Sequence, residues 1–134
     1  MVQVEIRESE ELSAEAFLEL AMRVWPGDYD PRQVQESLRR TINITAWSGG
    51  RLVGAVRILS DGYLFGTVPE ILVDPEYQGQ GIGRSLMDLA WERSPTSLFL
   101  GAQPGKEGFF EKVGFERRLT SFIRRKPRRV EGTG

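Results

Sequence analysis

The residues of this chain best suited to chemistry are Gln78-Gly79-Gln80-Gly81-Ile82-Gly83, a glycine-rich run between the apolar Ile71-Leu72-Val73 and an amphipathic stretch over 84–93. Glycine permits positive φ and lets the main chain come close to a ligand. A helix opening after such a turn adds unpaired N–H groups and the positive end of its dipole. The chemistry implied is capture of an anion, with a pyrophosphate as the natural guest. Two better-known phosphate loops are excluded. The dinucleotide fingerprint requires G-x-G-x-x-G inside a β-α-β unit, whereas Gly79, Gly81 and Gly83 run G-x-G-x-G without one. A Walker loop requires two glycines separated by four residues, then Lys and Ser or Thr, and Arg84-Ser85 after Gly83 supplies no lysine.

Other polar residues have simpler readings. Asp30, Asp61 and Asp74 suit helix capping and turns, and Asp28 stands near Asp30 without a pattern of metal ligands. Arg124, Arg125, Lys126, Arg128 and Arg129 read as a solvated terminal strand or as contacts for an acidic partner, and Trp25, Trp47 and Trp91 as core or cleft wall. The chain has no cysteine and no histidine. Disulfides, thiolate nucleophiles, imidazole bases and the commonest zinc ligands are thereby removed, and no metal is expected. A net charge of −1 gathers no nucleic acid, and no apolar run approaches the roughly 20 residues of a membrane span. Met1-Val2-Gln3-Val4-Glu5 is not a basic-then-apolar leader, so the expected location is cytoplasmic.

The 134 residues fit one domain. Residues 2–7 alternate apolar and polar, the period of a half-buried strand. Phe17, Leu20, Ala21 and Val24 then fall on one face of a helix that Pro26-Gly27 stops, and Asp30, Pro31 and Gln33 open a second helix as cap, first turn and capping box. Residues 42–47 and 52–59 form a hairpin across Ser48-Gly49-Gly50-Arg51. Residues 63–73 read as a central strand interrupted at Pro69, which cannot donate to a ladder. The helix after the glycine run buries Leu86, Leu89 and Ala90 together with Met87 and Trp91. A strand over 98–100, a short helix over 106–113 and a strand or hairpin over 115–125 follow.

Q-x-x-G-x-G is the pyrophosphate signature of the GNAT superfamily of acetyl-CoA-dependent N-acetyltransferases, and residues 78–83 resemble it at every fixed position. The approach Glu70-Ile71-Leu72-Val73-Asp74-Pro75-Glu76-Tyr77 is similar to the family's strand and Asp-Pro turn. Gly108-Phe109-Phe110-Glu111-Lys112-Val113-Gly114-Phe115 is similar to its F-Y-E-K-x-G-F segment. The resemblance covers residues 2–126, implying one GNAT-like acetyltransferase domain over 1–126 and a frayed tail over 127–134. It implies an α/β fold of the acyl-CoA N-acyltransferase type, with a mixed central sheet, a splayed parallel strand pair and about four helices.

The site roles follow from the same resemblance. Backbone groups of Leu72 and Val73 pair with the pantetheine arm of acetyl-CoA. Gln78, Gly79, Gln80, Gly81, Ile82, Gly83, Arg84 and Ser85 wrap its pyrophosphate. Glu70 occupies the strand position of a glutamate base in several GNAT enzymes, Gln103 aligns with a cofactor-contacting asparagine, and Phe110 packs on the cofactor. Phe110 is also the clearest departure, because it stands where the family usually has the tyrosine that protonates the departing thiolate. The resemblance implies transfer of acetyl from acetyl-CoA to a primary amine in a ternary complex, the acceptor being a small amine, an amino-acid derivative or a peptide N-terminus. GNAT-like proteins are often homodimers, which is the corresponding expectation. The competing reading is a non-catalytic CoA-binding or acyl-CoA-sensing module.

Overall fold

Strand β3 (Arg51–Ser60) organises the fold, because both of its edges are paired. On one edge it runs antiparallel to β2 (Ile42–Ser48), which carries β1 (Glu5–Glu8) beyond it. On the other it meets two short strands in succession, β4 (Gly66–Thr67) and β5 (Ile71–Val73), both antiparallel. The computed structural model describes residues 3–127, which divide into two compact units after Leu100. Val2 and the tail from residue 128 lie outside the described residues. None of the helices described is long and apolar enough to cross a membrane.

Helices α1 (Ala14–Val24) and α2 (Pro31–Arg39) arise where the sequence caps them. Ser13 Oγ accepts from the Ala16 N–H at 3.1 Å, and Asp30 Oδ1 accepts from Arg32 and Gln33 N–H at 2.9 and 3.3 Å. Their apolar stripes close a core of Leu12, Phe17, Leu20, Ala21 and Leu38 with Leu52, Ala55 and Leu72 of the sheet. Helix α3 (Ile82–Arg93) buries Ile82, Leu86, Met87 and Ala90. A Cβ on Gly54 of β3 would stand 3.0 Å from Leu86 Cδ1 and 3.2 Å from Ile82 Cγ2, so the missing side chain sets how closely α3 approaches. Trp91, expected among the buried residues of this helix, is 61% exposed, and Trp25 is 56% exposed.

The span 63–73 is not one strand. Asp61 Oδ1 accepts from the N–H groups of Tyr63, Leu64 and Phe65 at 2.9, 2.8 and 3.1 Å, so these donors are spent on a turn and cannot join a ladder. Between Val56↔Ile71 and Leu59↔Thr67, three residue steps on β3 face four on its neighbour. That extra residue is a bulge, and Pro69 lies within it.

The expected strand over 98–100 contracts to one parallel bridge, Thr67↔Phe99. Phe99 N–H donates to Gly66 C=O and Val68 N–H to Phe99 C=O, both at 2.9 Å, before Gly101 to Gly105 break the run. Among the described residues β5 pairs with β3 alone, so the parallel pair separates immediately beyond the bulge. In the second unit the only regular element among the described residues is α4 (Glu107–Lys112), and the strand expected over 115–125 is absent from them.

Candidate active site

The ladder between β3 and β5 decides which main-chain groups remain free. Arg57 N–H donates to Glu70 C=O at 3.3 Å and Asp74 N–H to Val53 C=O at 2.8 Å, with Ala55 opposite Leu72. In an antiparallel pair successive residues turn their polar groups to opposite sides, so Glu70, Leu72 and Asp74 face β3. The main-chain groups of Ile71 and Val73 therefore point to the open edge where the parallel partner has departed. The pair expected from sequence was Leu72 and Val73; the main chain of Leu72 faces β3 and its side chain belongs to the core, while Ile71 and Val73 are the residues turned to the open edge. Nothing in the sequence fixes that phase, since it depends on the register with β3.

Beyond Val73 the chain turns through a short 3₁₀ segment, Pro75–Tyr77, into the glycine run. Asp74 is its anchor. The side chain is 1% exposed; Oδ2 meets Arg23 Nε at 2.7 Å and Arg51 Nη2 at 3.4 Å, while Oδ1 accepts from Glu76 N–H at 2.9 Å. Arg23 also donates to Leu52 C=O at 2.8 Å, which ties α1, the β2–β3 hairpin and the start of the loop to one carboxylate. Gln78 Nε2 donates to Val73 C=O at 3.2 Å, folding the first residue of the loop back onto the open edge.

Gly79 and Gly81 have φ of 79° and 83°, the left-handed region that other residues enter only at a cost. A Cβ at either would meet nothing within 4 Å, so the requirement is conformational and the space over the loop is open. Gly81 is the N-cap of α3 and offers no side chain to it. The first intrahelical bond is Ser85 N–H to Gly81 C=O at 3.1 Å, which leaves the N–H groups of Ile82, Gly83 and Arg84 without a helical acceptor. Ser85, by contrast, can offer a ligand only its exposed hydroxyl. The Arg84 side chain is 67% exposed and only 4.0 Å from Asp88, a weak attachment that leaves it able to swing toward an anion.

Glu70 lies just after the bulge, and both of its oxygens are taken by one residue. Arg57 Nη2 donates to Oε1 at 2.7 Å and Arg57 Nε forms a short contact with Oε2. Arg57 is itself held: Nη1 donates to Ser37 Oγ of α2 at 2.6 Å, and the guanidinium lies 5.9 Å from the Phe17 ring centre of α1. The Arg57 side chain is 15% exposed and that of Glu70 30%. Sequence reasoning passed over Arg57. Its signal was present, since it is the one charge in the otherwise apolar run Leu52-Val53-Gly54-Ala55-Val56-Arg57-Ile58-Leu59.

The family description "Acetyltransferase (GNAT) domain" matches residues 8–127, which takes in β2 to β5 and α1 to α4. This chain belongs to the GNAT acetyltransferase family. Serotonin N-acetyltransferase 2, chloroplastic, of Oryza sativa subsp. japonica is 31% identical over 98 residues, covering 63% of this chain and 49% of that protein. The chain spans about half the length, or less, of the curated relatives it matches. Among solved structures, a GNAT family acetyltransferase from Streptococcus pneumoniae superposes with a TM-score of 0.78 at 26% identity, covering 92% of this chain and all of that one. The fold is also that of aminoglycoside N-acetyltransferase AAC(6')-Iy in complex with CoA, with a TM-score of 0.70, 14% identity, and coverage of 94% and 96%.

Within this GNAT domain the two remaining expected residues belong to the second unit. Gln103 is exposed, and its C=O accepts from Lys106 N–H at 2.9 Å in the turn that opens α4. Phe110 packs edge-on between Phe109 and Phe115, at ring-centre distances of 5.1 and 6.0 Å. Phe109 before it on the helix and Phe115 beyond it make a small aromatic cluster, so the phenyl ring has a packing role inside its own unit.

Proposed function

We propose that this chain is an acetyl-CoA-dependent N-acetyltransferase that acetylates a primary amine by direct attack in a ternary complex. The observation that carries the reading is one continuous strand-turn-helix segment with outward main-chain groups at Ile71 and an outward N–H at Val73, whose C=O accepts from the Gln78 side chain, followed by free donors at Ile82, Gly83 and Arg84. The first set suits an amide-bearing arm added as a strand, and the second suits a diphosphate. Acetyl-CoA would supply the activated acyl group, a thioester.

The chain's own residues then have defined tasks. An amine acceptor is protonated at neutral pH, and removing that proton costs about 4 to 5 kcal/mol before attack. Glu70 accepts it, directly or through a water, using the lone pairs that Arg57 leaves free. Phe110 cannot return a proton to the departing sulfur. A thiol of ordinary pKa, about 8.5, leaves acceptably as the anion, so the loss lowers the rate without forbidding the reaction. Tyr29 is an unpromising substitute, because its hydroxyl already donates to Trp25 C=O at 2.7 Å.

The acceptor we favour is a small-molecule amine, on the strength of the rice relative named for serotonin acetylation. Incubation with acetyl-CoA and a panel of amines, with free thiol followed by a colorimetric reagent, tests the proposal. Acceptor-dependent thiol release supports it. Cofactor binding with no release from any amine favours the sensing module. Glu70→Gln should leave cofactor binding intact and lower kcat by about 10² or more.

A further inference from the structure

We propose that Arg57 is a positioning residue for proton transfer, setting the plane and direction of the Glu70 carboxylate. This rests on the assignment of Glu70 as the proton acceptor. Glu70 stands where the sheet gives least support: the ladder resumes there after the bulge at Pro69, and the parallel neighbour has separated. A glutamate in such a place has three side-chain torsions to fix. Arg57 removes that freedom twice over. Its main-chain N–H holds the Glu70 carbonyl, and its guanidinium fork holds both carboxylate oxygens. The fork is in turn fixed from two other elements, through Ser37 Oγ on α2 and the Phe17 ring on α1.

Stability alone does not explain the arrangement, because a half-buried ion pair contributes little net stability that an apolar pair of the same volume would not match. What an apolar pair cannot do is orient a carboxylate. A planar guanidinium does so with two parallel bonds, whereas an ammonium is a point charge that leaves rotation free. The same geometry gives Glu70 its partner without occupying all its lone pairs, so a water or the amine can still be met.

The test compares Arg57→Gln, Arg57→Lys and Arg57→Ala with Glu70→Gln, using the best amine of the panel. Arg57→Gln is expected to lower kcat by about 10²-fold, the loss that follows from a misplaced reacting group. The KM for acetyl-CoA should be unchanged, because the glycine run lies at the other end of β5. Arg57→Lys should recover only part of the rate, added guanidinium should restore part of it to Arg57→Ala, and Arg57→Gln combined with Glu70→Gln should be no slower than Glu70→Gln alone. A crystal structure of Arg57→Gln should show the Glu70 carboxylate turned from its present plane. If Arg57→Gln does not fold, Arg57→Lys and Ser37→Ala carry the test through a smaller fall in kcat at constant acetyl-CoA KM. If Glu70→Gln slows turnover and the Arg57 variants do not, the positioning role is overturned and the Glu70 assignment stands. If Glu70→Gln leaves turnover unchanged, the assignment falls and the inference with it. An unmoved Glu70 in the Arg57→Gln crystal also overturns the inference.

Discussion

Replacing Asp74 by asparagine removes one charge from the point where α1, the hairpin and the glycine run converge. Asp74 is buried and accepts from Arg23 at 2.7 Å, Arg51 at 3.4 Å and Glu76 N–H at 2.9 Å. An asparagine oxygen keeps one of these contacts, while its NH₂ faces guanidinium donors that need an acceptor. Breaking a fully buried pair costs about 3–5 kcal/mol. Here the arginine side chains are 23% and 44% exposed and regain water, so a discounted loss of about 2–3 kcal/mol is the working figure. At about 2.1 cal/mol/K per residue, a chain of this length has an unfolding entropy near 0.28 kcal/mol/K, and the melting temperature should fall by about 7 to 11 °C. Calorimetry measures this directly, and acetyl-CoA titration of the folded variant should show weaker binding, because the loop that begins at Asp74 loses its anchor. A variant that melts within about 1 °C of the parent, or binds the cofactor equally well, would refute the view that this carboxylate sets the loop.

Other outcomes follow from the same geometry. Gly81→Ala places a Cβ in open space at φ 83°, so its cost is conformational, about 1–2 kcal/mol, and should appear as lower stability or weaker cofactor binding rather than as a steric rearrangement. An unaltered melting curve together with unaltered binding would contradict it. The Asp61 carboxyl is held below its usual range by the N–H groups of Tyr63, Leu64 and Phe65. A depressed folded-state value means the turn is fully supported above the unfolded-state pKa and released as pH falls through the lower folded-state one. Amide chemical shifts of Tyr63, Leu64 and Phe65 should therefore titrate below the ordinary aspartate range, and Asp61→Asn should abolish that titration. A midpoint at the ordinary aspartate value would count against the turn.

The elements easiest to read in the sequence were those whose signals are local. The Asp30-Pro31 cap, the apolar stripe of α1 and the hairpin around Gly49-Gly50 each depend on neighbours in the chain, and each forms within a residue or two of where periodicity puts it. The glycine run was legible for the same reason, since its turn and the α3 cap lie inside six residues. Long-range facts were not. The late start of the strand expected over 63–73 depends on the Asp61 carboxylate capturing the N–H groups of residues 63–65, and its division into two depends on the register with β3 that places the bulge at Pro69. The exchange of Leu72 for Ile71 at the open edge depends on a register with β3. Arg57 is thirteen residues from Glu70, and only the pairing of β3 with β5 brings its fork onto that carboxylate. Residues 115–125 were expected to form a strand or hairpin, but a strand needs a partner, and none is found for them among the described residues.

The central claim is that the free amides opening α3 take up a diphosphate. Titrating ¹⁵N-labelled protein with CoA, and separately with inorganic pyrophosphate, tests it residue by residue. The account predicts that the amide resonances of Ile82, Gly83 and Arg84 move in both titrations, and that those of Ile71 and Val73 move only with CoA. CoA binding that leaves the amides of Ile82, Gly83 and Arg84 in place would contradict it.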